Sequence, residues 1–155
     1  MGATTIWERW DGQKPDSSFQ SVGMNSFNHY SYGAIGDWMY RQMVGLDTYE
    51  DGVGYKHSKV QPHIGGGFTS AAASLDTYYG KLSCSWKLQA DEIHMELTIP
   101  ANTISSVFIP AKELSKVTES GKSLSEAEGI KVIGQKEDYI ETLLGSGVYH
   151  FIIKK

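Results

Sequence analysis

The sequence predicts a mainly β fold: an antiparallel β-sandwich preceded by a loop and one long helix. Three observations carry this expectation. Residues 81–88 and 92–99 alternate apolar and polar side chains with period two, the pattern of strands with one buried and one wet face. Residues 27–39 repeat apolar side chains at three- and four-residue steps, the period of a helix. Short apolar runs punctuated by Gly and Pro fill the remainder, as in all-β sandwiches.

In chain order, "DGQKPDSSFQSVG" (11–23) is rich in turn formers and predicts a long surface loop. "SFNHYSYGAIGDWMYRQMVGLD" follows as a helix over about 28–44. Phe27, Tyr30, Ala34, Trp38 and Met39 form its stripe, Ile35 widens it, and Asn25 and Ser26 are suitable N-caps. Gly33 and Gly36 lie inside. Each weakens a helix by ~1 kcal/mol relative to Ala, so close packing against another element is expected to compensate. The period changes near Asp51-Gly52, giving a helical piece over 1–51 and a sandwich over 52–155. In "KLSCSWKL", Leu82, Cys84, Trp86 and Leu88 face inward; in "EIHMELTI", Ile93, Met95, Leu97 and Ile99 do so. "QADE" between them predicts a four-residue hairpin loop. Further strands are expected around 55–64, 68–74, 106–109, 130–133 and 148–154.

Composition narrows the functional classes. The 155 residues are 40% hydrophobic and 21% charged, as in an ordinary globular chain. Lys and Arg total 14 against 18 for Asp and Glu, a net charge of -4. That balance argues against nucleic-acid binding, which needs a basic face. No apolar run approaches the ~20 residues of a membrane span, and no basic stretch followed by an apolar one opens the chain. Cys84 is the single cysteine, which excludes an intrachain disulfide and a thiolate metal cluster. His57 and His63 lack a third ligand nearby, and no HExxH occurs. Neither a metal nor a cofactor is therefore expected. "HIGGGFTS" has three glycines without the lysine of a phosphate loop and reads as a turn.

The chemistry-bearing stretch is "TTIWERWD". Trp7 and Trp10 enclose Glu8 and Arg9. Flanking aromatic rings displace water from the Glu8 carboxylate, and adjacent Arg9 favours its charged form; such a balance suits a general base. Indole faces also offer flat platforms for sugar rings. His29 falls in the first turn of the predicted helix, where a neutral imidazole can exchange hydrogen bonds with a ligand hydroxyl. The bland alternatives are a solvated or Arg9-paired Glu8 and a His29 bonded to loop backbone.

The pair "GATTIWERWDG" and "MNSFNHYSYGAIGDWMYR" resembles the C-terminal part of bacterial α-L-rhamnosidases, family 78 of the glycoside hydrolases. "GKLSCSWKL", "MELTIPANTISSVFIP" and "LLGSGVYHF" resemble that family's C-terminal β-domain. The resemblance implies a parent enzyme with an (α/α)6 barrel followed by a β-sandwich, removing terminal α-L-rhamnose from glycans with inversion. It makes residues 1–51 the barrel's remnant, with the helix left over from the barrel, and 52–155 the sandwich. It casts Glu8, at the Glu of the W-E-R-W motif, as general base and His29, at the His of N-H-Y, as a sugar contact. Trp7 and Trp10 then shape the substrate cleft.

An inverting hydrolase also needs a carboxylic acid ~6.5–9.5 Å from the base. The resemblance places that acid upstream of W-E-R-W, so these 155 residues alone are expected to be inactive. A helix with one apolar side for the sandwich and another for barrel neighbours is expected to associate, for example as a homodimer covering Trp38, Met39 or Met43. A rhamnose-containing glycan is the expected partner of the parent, with no nucleic acid and no membrane, and a periplasmic or secreted location fits it. The competing reading is a non-catalytic carbohydrate-binding or scaffolding sandwich, with Tyr78 and Tyr79 as the solvent-facing aromatics.

Overall fold

The computed structural model describes residues 2–23, 25–136 and 138–155. It divides into two compact units, one ending at Trp38 and the other spanning Met39–Lys155.

The first unit has one regular element, α1 (Tyr30–Trp38). Ahead of it the chain runs in turns, as the composition of 11–23 predicts. Gln13 and Phe19 form an isolated antiparallel bridge, closed by the Lys14 N–H donating to the Ser18 carbonyl at 2.8 Å. Asp16 stabilises this turn by accepting from the Ser18 hydroxyl at 2.7 Å and the Ser18 N–H at 3.0 Å. Those two bonds hold its carboxyl below the usual range.

α1 starts later than the cap-type residues Asn25 and Ser26 suggest. The segment before it is committed elsewhere: the His29 N–H donates to the Ile6 carbonyl, and the Ser26 carbonyl accepts from the Glu8 N–H, both at 2.8 Å. His29 therefore directly precedes the helix and is not part of its first turn. The glycines also behave differently from expectation. A Cβ at Gly33 would meet only Ile6 Cδ1 at 3.7 Å, and one at Gly36 would meet nothing within 4 Å. No close approach among the described residues offsets their cost to the helix.

The second unit opens with π-helical turns over Met39–Val44, so the single helix predicted over 28–44 is α-helical only to Trp38. The Gly45 N–H donates to the Tyr40 carbonyl at 2.9 Å, a five-residue step. Gly45 sits at φ 86 because its backbone abuts residues 61 and 62: a Cβ there would lie 2.2 Å from the Gln61 carbonyl carbon. The Trp86 indole N–H donates to the Met43 carbonyl at 2.9 Å, taking up one of the carbonyls at the end of these turns.

Two sheets follow. The first comprises β1 (Leu46–Thr48), β2 (His57–Val60), β6 (Ile104–Ile109), β9 (Ile130–Lys136) and β10 (Tyr139–Leu144), in the order β1-β2-β6-β10-β9. Its pairs are antiparallel except β2 with β6, which is parallel. The second comprises β3 (Ser70–Thr77), β4 (Gly80–Gln89), β5 (Glu92–Ile99), β7 (Val117–Glu119), β8 (Lys122–Ser123) and β11 (Gly147–Lys154), in the order β3-β4-β5-β11-β7-β8. All its pairs are antiparallel. The mainly β, two-sheet architecture is the one expected.

Register explains the core. Trp86, Met95 and Phe151 share one row of the second sheet, and Cys84, Leu97 and Tyr149 the next; all are buried. Val60, Val107 and Thr142 form a row of the first sheet. Thr142 is tolerated there because its hydroxyl donates to the Val107 carbonyl at 2.9 Å. Burial pushes the Cys84 thiol up from 9.0 to about 12, since its thiolate would have no partner in that row.

The β4–β5 connection is tighter than predicted. Gln89 and Glu92 pair directly, so the loop is Ala90-Asp91 alone, with Ala90 at φ 48. β1 already precedes Asp51, where the sequence period changes.

Candidate active site

The candidate groove belongs to the first unit. Ile6, Trp7, Glu8, Arg9, Trp10 and Tyr32 line it, together with Ala3 and Thr5. Residues 6–8 run alongside 26–29. The Glu8 N–H donates to the Ser26 carbonyl at 2.8 Å, and the Ser26 N–H returns a bond to Glu8 Oε2 at 3.1 Å. This reciprocal clamp fixes both the backbone and the carboxylate of Glu8. Its second oxygen, Oε1, takes no hydrogen bond among the described residues and is available to a ligand or a water.

The tryptophans diverge. Trp7 is half-buried and meets Phe27 edge-on at 4.9 Å, with Phe19 tilted against the same ring at 5.8 Å. Trp10 is 94% exposed. The two rings therefore do not enclose Glu8 symmetrically: one anchors the segment and the other projects into solvent. Arg9 Nη1 donates to Gln20 Oε1 at 2.7 Å, tying W-E-R-W to the turn-rich loop. Asn25 does the same from the other side, its amide donating to the Gly12 carbonyl at 2.7 Å. A Cβ at Gly12 would lie 2.9 Å from Asn25 Oδ1, so a larger residue there would displace the Asn25 side chain.

His29 is brought beside this segment by its N–H bond to Ile6. Its Nδ1 lies 2.9 Å from the Ser31 hydroxyl, and its ring stacks on Tyr32 at 4.3 Å. Nδ1 and one face are thus occupied, which leaves Nε2 to meet a ligand. Tyr32 also lines the Glu8 groove, so it links the two candidate residues. The sequence assigns no site role to Tyr32, Ser31 or Ser26, and Ser26 stands out only as a candidate helix cap. A Ser two residues after His29, and Tyr32 beyond it, were the available signals for the first two. The backbone N–H of Ser26 has none.

Glu8 is the one carboxylate lining the groove among the described residues. The other four histidines have partners of their own: His57 Nε2 is 2.8 Å from the Ser106 hydroxyl, His63 Nδ1 is 3.1 Å from the Gln42 carbonyl, His94 Nε2 is 3.2 Å from Glu92 Oε2, and His150 Nδ1 is 3.6 Å from Glu96 Oε1. No group of three or more His, Cys, Asp or Glu among the described residues is arranged to hold a metal ion.

Residues 45–124 match the family model of the bacterial alpha-L-rhamnosidase C-terminal domain, and residues 1–43 that of the bacterial alpha-L-rhamnosidase 6 hairpin glycosidase domain. An alpha-L-rhamnosidase of Formosa agariphila is 35% identical over 154 residues, covering 99% of this chain and 16% of that protein. One from Streptomyces avermitilis is 38% identical over 127 residues, 82% of this chain and 12% of that protein. The crystal structure of Streptomyces avermitilis alpha-L-rhamnosidase complexed with L-rhamnose superposes with a TM-score of 0.77 at 33% identity, covering 99% of this chain and 14% of that one. The alpha-L-rhamnosidase structure from Dictyoglumus thermophilum gives 0.75 at 32% identity, with 99% and 16% covered. The chain thus spans no more than 16% of the length of these relatives.

Proposed function

Because this chain belongs to the bacterial α-L-rhamnosidase family, a family of glycosidases, we propose that it forms the C-terminal part of an enzyme that removes terminal α-L-rhamnose from glycosides or polysaccharides with inversion. Glu8 acts as the general base. The single observation that carries this reading is the clamped carboxylate of a groove-lining residue, with Oε2 bonded to the Ser26 N–H and Oε1 without a hydrogen bond among the described residues. A base held this way can take a proton from water without first reorienting. His29 offers Nε2 to a sugar hydroxyl, Trp7 stiffens the segment, and Trp10 supplies an apolar wall.

The acid is a different matter. Inversion requires a second carboxyl ~6.5–9.5 Å from the base, with a water between, and Glu8 is the one acidic side chain lining this groove among the described residues. The remainder of the catalytic barrel supplies the acid in this reading. It also covers α1, which has no buried residue and carries Tyr30 at 90% exposure beside exposed Ile35 and Trp38. In the 155 residues alone that face pairs with a second copy. Sedimentation at high concentration checks this, and a strictly monomeric protein counts against it.

The decisive experiment uses the full-length enzyme. Glu8→Gln is expected to lower kcat by about 100- to 10,000-fold with KM little changed, and proton NMR early in the wild-type reaction should show β-L-rhamnose as first product. Full activity in Glu8→Gln, or α-rhamnose appearing first, overturns the assignment. The isolated 155-residue chain should release no p-nitrophenol from p-nitrophenyl α-L-rhamnopyranoside.

A further inference from the structure

A second open groove lies within the sandwich unit, lined by Gly54, Tyr55, Leu75, Asp76, Thr77 and Tyr78. We propose that it binds a neutral pyranose ring of a glycan, stacked on Tyr78 and hydrogen-bonded through its hydroxyls to Asp76. This proposal is independent of the role given to Glu8.

The adjacent tyrosines of the β3–β4 turn serve different ends. Tyr79 is partly covered: the Lys56 ammonium lies 4.9 Å over its ring and also donates to the Asn102 carbonyl. Tyr78 is 98% exposed, so its aromatic area contributes little to folding in a turn position where small polar residues are usual. The turn that carries it is nevertheless fixed. The Thr77 hydroxyl donates to the Gly80 carbonyl at 2.7 Å and accepts from the Tyr79 N–H at 3.1 Å. An exposed ring on a rigid support binds without a large ordering cost.

The facing loop brings backbone close to that ring. Gly54 sits at φ 65, and a Cβ there would come within 3.5 Å of Tyr78 Cδ2 and 3.9 Å of Tyr79 Cε2. Tyr55, next in sequence, holds φ 66, a conformation that bulky residues rarely adopt and that is concentrated at ligand sites.

Charge selects the ligand class. The Asp76 side chain is exposed and has no hydrogen bond or ion pair among the described residues, with Lys81 its cross-strand neighbour. A carboxylate beside an aromatic face accepts from adjacent hydroxyls of a sugar while the ring covers its C–H face. An anionic ligand would be repelled by Asp76, and a purely apolar one would strip its water without replacement. A stable protein interface needs ~800 Å² per partner, more than six residues around one groove present.

The test is an NMR titration of the 155-residue chain with methyl α-L-rhamnopyranoside and the methyl pyranosides of glucose, galactose and mannose. At least one should give saturable shifts at the Tyr78 ring and the Asp76 and Thr77 amides, with Kd on the order of 1 mM. Tyr78→Ala and Asp76→Ala should each weaken it by about tenfold or more, whereas Tyr78→Phe retains the stack and Tyr30→Ala leaves binding unchanged. Matching melting curves show that the variants fold. Shifts that persist in Tyr78→Ala, shifts confined to residues 6–10, or no saturable shift with any pyranoside overturn the proposal.

Discussion

The unit ending at Trp38 and the unit from Met39 onward are stabilised by different means. Every buried apolar side chain among the described residues lies between Val44 and Ile153. Among the described residues up to Trp38 only Gly12 is buried, and order there comes from backbone bonds such as Glu8 to Ser26 and from the Trp7–Phe27 edge contact. The candidate chemistry sits in the unit without a core. Hydrogen bonding can position a carboxylate to a few tenths of an ångström, but each such bond adds only ~1 kcal/mol net, whereas each buried large apolar side chain adds ~1.5–3 kcal/mol. Positioning and stability are thus separable here, and substitutions can probe them one at a time.

The sharpest contrast is between tryptophans. Trp86 is 1% exposed and donates to the Met43 carbonyl. Trp86→Ala should cost ~3–5 kcal/mol in urea unfolding, against less than about 0.5 kcal/mol for Trp10→Ala. Comparable losses at both sites would erase the distinction between the units. Glycines give the next largest difference. Gly45→Ala must resolve a Cβ at 2.2 Å from Gln61 and a φ of 86, and should cost about 2 kcal/mol or more. Gly36→Ala, with open space around its Cβ, should instead stabilise α1 by ~1 kcal/mol. Helicity by circular dichroism and the unfolding midpoint together read both signs.

Alkali tests the sandwich unit, where burial also raises the phenols of Tyr139 and Tyr149. The Cys84 thiol binds its proton more tightly in the folded chain, up from 9.0 to about 12. Between those values the unfolded state holds fewer protons than the folded one, so stability falls as pH rises. The contribution is complete below pH 9.0 and lost on the way to about 12, with a slope of at most ~1.4 kcal/mol per pH unit. Cys84→Ala should flatten that part of the stability profile. An unchanged slope would mean that the thiol is not the group responsible.

Much of this architecture was legible in the sequence where side chains obeyed a single period. The β4–β5 pair was read directly from Leu82 to Leu88 and Ile93 to Ile99, because each inward residue is apolar and each outward one polar. β10 carries no such signal for the opposite reason: Thr142 faces the core, and Leu143, on the other face, is apolar, so no alternation survives. β1, β7 and β8 are two or three residues long, too short for a period to register. In the candidate site, Glu8 and His29 stood out by residue type. Their clamp by the Ser26 N–H could not, because any residue but proline supplies that donor.

One strand carries a consequence for how the molecule assembles. β11 lies between β5 and β7, with Phe151 paired to Met95 across more than fifty intervening residues. Such distant pairing slows refolding. Until it forms, β5 and β7 each present a bare row of amides and carbonyls, the template on which neighbouring molecules add strands and precipitate. A premature stop ahead of Gly147 would make that interval permanent, so such a product should accumulate as inclusion bodies.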